Sequence, residues 1–193
     1  LAFLGNVTAR DGREHAEVFI AELPADLTRA GAAPLEGTAT RRPAPPAGVV
    51  QRRLTFTAER KFPGVVTAPR HWLRAAPDGS AIAFLMKDEI GEPQLWTVAP
   101  SGGEPRQVTR NPAGVASAFS WSSDGRRIAH VMDGSVCVTE VATGLTTRLT
   151  PRAEGGNAPL ALACVFSPDG RRIAYQRKVR GAGGVFAQIF IVD

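Results

Sequence analysis

What this sequence has little of removes several functional classes before any motif is sought. It holds only two cysteines, Cys137 and Cys164, which fall in different predicted strands and form no C-x-x-C pair. A zinc site or dithiol redox motif therefore has no basis, and both read as buried free thiols. Lysine is scarce, so the net charge of +5 and the pI near 10.0 come mostly from arginines scattered over turns in a chain rich in Ala, Gly and Pro. No basic stripe is interleaved with stacking aromatics, and nucleic acid is not an expected partner. No apolar run reaches the length of a membrane span, so no membrane association is expected. Leu1-Ala2-Phe3-Leu4 already reads as the middle of a strand, which puts any signal peptide outside these residues.

Catalytic signatures are missing too. There is no G-x-S-x-G nucleophile elbow, and Gly181-Ala182-Gly183-Gly184 lies between two predicted strands with no following helix to present amides to a phosphate. His15, His71 and His130 stand isolated, without paired-ligand spacing. No metal or other cofactor is expected, and catalysis by this segment alone is not. Asp88-Glu89 reads as solvated charge on a hairpin tip. No long helical pattern occurs.

What is present is a repeat. Phe166-Ser167-Pro168-Asp169-Gly170-Arg171-Arg172-Ile173-Ala174-Tyr175 has copies at Trp121 to His130 and at Ala75 to Phe84, placing turn aspartates at 78, 124 and 169. An interval of 45 to 46 residues signals a repeat architecture. Each copy reads as a strand, a tight Pro/Ser-Asp-Gly turn and a returning strand, since Gly accepts the positive φ the reversal needs. In the second unit Gln94-Leu95-Trp96-Thr97-Val98 and Pro105-Arg106-Gln107-Val108-Thr109 supply two further strands, joined through Ser101-Gly102-Gly103-Glu104. The third unit, from Ser135-Val136-Cys137-Val138 to Arg148-Leu149-Thr150, aligns with it without gaps. Residues 24–48, dominated by Ala, Pro, Gly and Thr, carry no period and read as an insertion loop.

Four-stranded antiparallel sheets at this interval are blades of a β-propeller, each burying its faces against its neighbours. The expected fold is all-β: a partial, TolB-like and WD40-like propeller of about four blades at residues 1–57, 69–109, 116–150 and 160–193. The first is expected to lack its innermost strand and the last its outermost; the two pieces could close on each other as a four-bladed ring, but part of a larger propeller is the favoured reading.

These copies, with Gly102-Gly103-Glu104-Pro105-Arg106-Gln107-Val108-Thr109, resemble the repeats of the TolB propeller and of the propeller domains of prolyl-oligopeptidase-type peptidases. Val49-Val50-Gln51-Arg52-Arg53-Leu54-Thr55-Phe56-Thr57, Pro69-Arg70-His71-Trp72 and Ile82-Ala83-Phe84-Leu85-Met86 are similar to the C-terminal half of the YidR-like bacterial proteins, an uncharacterised TolB-like family. That resemblance implies a propeller fold and members about twice this length. It implies no established activity, and it favours a cytoplasmic location over the periplasmic one of TolB.

In an antiparallel meander alternate turns fall on opposite faces. The Asp-Gly and Gly-Gly turns share one face of the disc; the second-to-third-strand hairpins and the blade-to-blade links, 57–70, 110–115 and 151–159, share the other. Variable loops on a rigid scaffold are the usual place for function. The expected role is non-catalytic binding of a protein partner or a small polar ligand at the channel mouth, with Arg70, His71 and Ser117 as candidate contacts. His71, Ser117 and Leu162 each precede a turn aspartate by seven residues. His71 either reaches a ligand or metal at the pore or anchors its long link through the backbone; Trp72 is expected to pack between blades. Arg126, Arg127, Arg171 and Arg172 read as solvated turn residues on the far face. Two enzymatic alternatives stay open: a metal-dependent, lyase-like carbohydrate-active propeller, and the accessory propeller of a prolyl-oligopeptidase-type hydrolase.

Overall fold

The computed structural model describes residues 1–68 and 72–193. These fold into four small antiparallel sheets, each with its strands side by side in chain order. The first contains β1 (Ala2–Thr8), β2 (Glu14–Glu22) and β3 (Val50–Arg53). The second contains β4 (Arg74–Ala75), β5 (Ile82–Lys87), β6 (Pro93–Val98) and β7 (Arg106–Gln107). The third contains β8 (Ser120–Trp121), β9 (Arg127–Met132), β10 (Ser135–Glu140) and β11 (Thr146–Arg148). The fourth contains β12 (Val165–Phe166), β13 (Ile173–Gly181) and β14 (Gly184–Val192). A single 3-10 turn, Gly155–Asn157, is the only helical element among the described residues, and no helix is long and apolar enough to cross a membrane.

The sheets bury their faces against one another in sequence order, as propeller blades must. Val18 and Leu54 of the first pack with Ile82, Phe84 and Trp96 of the second. Leu85 and Leu95 of the second meet Phe119 and Ile128 of the third. Val136 and Val138 of the third meet Cys164 and Ile173 of the fourth. Both cysteines are free and buried. Burial holds the Cys164 thiol at a pKa of about 12, with a smaller contribution from neighbouring Cys137, which burial also raises.

The Asp-Gly turns are structural. Gly79, Gly125 and Gly170 take φ of 72°, 69° and 68°. Each aspartate accepts the amide two residues on, of Ser80, Arg126 or Arg171, at 3.0 to 3.1 Å. Each also accepts a serine hydroxyl, from Ser80, Ser122 or Ser167. Arg127 departs from the solvated role expected of it: it donates to the Gly170 carbonyl at 3.0 Å and lies over Phe166, tying one blade's turn to the next. On the same side Arg52 reaches the Pro100 carbonyl and Arg106, at the matching position, reaches that of Val141.

A second repeated device closes the outer edge of the first three sheets. In Arg53-Leu54-Thr55, Gln107-Val108-Thr109 and Arg148-Leu149-Thr150 the aliphatic residue enters the core. The threonine hydroxyl accepts the third strand's amide at Val18, Leu95 or Val136, at 2.9 to 3.0 Å. The links also repeat. Val65 donates to the Ala16 carbonyl of the sheet behind and Val115 to that of Pro93, while Val66, Ala116 and Leu160 donate to Leu85, Val131 and Gln176 of the sheet ahead. Pro159 has no amide to offer, and the Gly134 carbonyl is taken by Ala153 instead. Each link thus crosses directly over the second-to-third-strand hairpins.

Candidate functional site

On this link-bearing face the first sheet carries a charge that the repeat itself does not need. Gln94 in the second sheet bonds the Thr109 hydroxyl at 2.7 Å, and Ser135 in the third meets Arg148 at 2.8 Å. The corresponding residue in the first sheet is Glu17, fully buried. Its carboxylate accepts the Thr57 amide and hydroxyl, both at 2.8 Å, the Arg53 guanidinium at 2.9 Å, and the Thr55 hydroxyl; His15 Nε2 lies 3.0 Å away. Such dense partnering is what a buried carboxylate requires.

The network shapes the link above it. Thr57 accepts the Gly64 amide at 2.7 Å, so one threonine pins both ends of the 57–64 segment to Glu17. Gly64 sits so close to His15 that a Cβ would come within 2.9 Å of that side chain, at a φ of +88°. The far side is held by Arg60 and Lys61, which donate to the carbonyls of Lys87 and Glu89 in the next hairpin. Arg53 is fixed by Glu17, by the Thr55 carbonyl at 2.7 Å and by the Phe56 ring 4.6 Å away.

Between this pinned segment and the β1–β2 hairpin lies a cleft of about 680 Å³. Four arginines line it, Arg10, Arg13, Arg53 and Arg60, against the acidic Asp11 and Glu59. Arg13 is spent on Asp11 at 2.6 Å, and Arg53 is half-spent on Glu17. Asp11 is held below the usual carboxylate range, chiefly by its side-chain bond to Arg13.

Of the residues singled out in the sequence, Arg70 and His71 lie outside the described residues. Ser117 is fully buried: its hydroxyl donates to the Ala118 carbonyl at 2.6 Å and accepts the Val131 amide at 2.7 Å, holding the inner strand against β9. Trp72 does not pack between blades; it is 58% exposed, with Arg74 near its ring. Asp88 is engaged as well, accepting the amides of Ile90 and Glu92 and the Gln94 side chain. The arginine cleft escaped the sequence reading because Glu17 and its partners are separated by the insertion. The available signal was a charged residue at a strand position held by Gln94 and Ser135 in the other copies. Among the described residues no group of three or more His, Cys, Asp and Glu could hold a metal ion.

No family model matches the chain. It is 48% identical over 178 residues to the uncharacterized protein YidR of Escherichia coli (strain K12), covering 91% of this chain and 42% of YidR. The resemblance to the YidR-like proteins holds. The chain spans less than half of YidR, so YidR is a similar protein of greater length. TolB from Acinetobacter baumannii superposes with a TM-score of 0.54 at 20% identity, over 98% of this chain and 37% of TolB. Pyrococcus horikoshii acylaminoacyl peptidase superposes with a TM-score of 0.56 at 12% identity, over 98% of this chain and 29% of the peptidase. At such identities these two likenesses concern the fold alone, and that fold is the β-propeller read from the repeat.

Proposed function

We propose that this YidR-like segment is a non-catalytic binding part of a larger propeller, and that its link-bearing face takes a small anionic ligand in the arginine-lined cleft. One observation carries the reading. The buried Glu17, where the next two sheets use neutral Gln94 and Ser135, holds Arg53 and the 57–64 link in place around the cleft. Guanidinium groups fixed in advance bind oxyanions with little ordering cost. Arg10 is the contact least committed to the fold. Arg70 and His71 remain candidates through their place on the same link.

The test is calorimetric titration of the full-length protein with citrate and with inorganic phosphate at low and high salt. Saturable binding that weakens with salt and falls about tenfold in Arg10→Ala, the loss of one charge-assisted hydrogen bond, is expected. Binding unaffected by Arg10→Ala overturns the assignment.

A further inference from the structure

Residues 53–60 contribute to two cavities, the arginine-lined cleft toward the β1–β2 hairpin and a second one, of about 180 Å³, toward the second sheet. The buried Leu54, Met86 and Trp96 line the second cavity together with Phe56, which is 75% exposed. The repeat does not ask for these rings. Phe56 follows the capping threonine at the place held by Arg110 and Pro151 in the next two sheets, and Trp96 stands where the first and third have Phe19 and Cys137. An apolar cavity of about 150 Å³ accepts benzene, so this one has room for a six-membered ring.

Two cations join the cavities. Arg53 and Arg60 both line the cleft, and Arg60 lines the second cavity as well. The Arg53 guanidinium lies 4.6 Å from the centroid of the Phe56 ring, and that of Arg60 lies 4.8 Å from the centroid of the Trp96 ring. An oxyanion held by these two groups is therefore about one ring's length from both aromatic side chains. The exposed Glu104 also lines the second cavity and disfavours a further negative charge there. We infer, resting on the anion reading of the cleft, that its ligand is an aromatic oxyanion: a phosphate or carboxylate bound by Arg53 and Arg60, attached directly to an uncharged ring that enters the second cavity against Phe56 and Trp96. Flat π surfaces beside guanidinium groups suit a ring better than an aliphatic tail.

Calorimetric titration of the full-length protein with inorganic phosphate, phenyl phosphate and phenol tests this, with the methionine methyl groups followed by NMR and assigned through Met86→Leu and Met132→Leu. Phenyl phosphate should bind at least about tenfold more tightly than inorganic phosphate. Its ring current should shift the Met86 methyl, which inorganic phosphate leaves in place. The Met132 methyl, at the matching position in the third sheet, should not move with either. In Trp96→Leu the advantage of phenyl phosphate should fall to within about threefold; if that variant does not fold, the Met86 shift in the unaltered protein decides. Equal affinity for the two phosphates, or tighter binding without a Met86 shift, overturns the aromatic ligand and leaves the anion cleft standing. Phenol binding as tightly as phenyl phosphate, or no binding of either phosphate, overturns the cleft and this inference with it.

Discussion

Glu17→Ala is the most informative single perturbation of the candidate site. The substitution removes the acceptor for the Thr57 amide, the Thr57 and Thr55 hydroxyls and the Arg53 guanidinium, and leaves His15 Nε2 without its neighbour. Breaking a buried ion pair from one side costs about 3–5 kcal/mol. Arg53 is 22% exposed and partly rewets, which favours the lower end, about 3 kcal/mol. With a urea m-value of about 2–3 kcal/mol/M for a domain of this size, the midpoint should fall by roughly 1 M at unchanged m. Glu17→Gln should cost about half as much, because Gln94 already satisfies the Thr109 hydroxyl and the Asn111 carbonyl from the equivalent place. A midpoint shift of less than about 0.3 M in Glu17→Ala would mean that the carboxylate is not what pins the link.

Other consequences follow from buried groups. His130 is fully buried and neutral, bonded to the Thr139 hydroxyl at 2.8 Å, and burial lowers its pKa to about 4. Below about pH 6.5 the unfolded chain takes up a proton that the folded one refuses until about pH 4, so stability should fall with pH across that window by up to about 3 kcal/mol. Urea midpoints in His130→Gln should lose that part of the slope; identical slopes in both proteins count against it. Thr109→Val leaves the Leu95 amide without its cap and should cost about 1–3 kcal/mol by the same denaturation, with Thr55→Val and Thr150→Val alike in sign. A thiol with pKa near 12 is thiolate at only about one part in 10⁵ at neutral pH, so Cys164 should react with iodoacetamide only as the fold opens. Rapid labelling of the native protein would contradict its burial.

The parts of the fold legible in the sequence were those written locally and repeated. Pro168-Asp169-Gly170 and its copies encode a turn in a few adjacent residues, and their interval gave the sheets, the register and the assignment of loops to faces. The triplet ending in Thr55, Thr109 and Thr150 was also present as a repeat, but its hydroxyl acts on an amide 14 residues away in the later copies and 37 in the first, beyond any local pattern. Distance likewise hid the site. Glu17 looks like one more outward residue of an alternating strand until Arg53 and Thr57 are brought onto it across the 24–48 insertion. Ser117 shares with His71 its spacing to a turn aspartate, a sequence match that carries no chemistry: the serine hydroxyl serves the inner strand's backbone by taking the Val131 amide.

Titration of the full-length protein with citrate across two sets of variants decides whether binding belongs to the link-bearing face. Arg10→Ala should weaken binding about tenfold, while Arg126→Ala and Arg171→Ala, whose exposed side chains belong to the opposite face, should leave it within about twofold. Unchanged affinity in Arg10→Ala together with a loss in Arg126→Ala or Arg171→Ala would instead place the site across the disc.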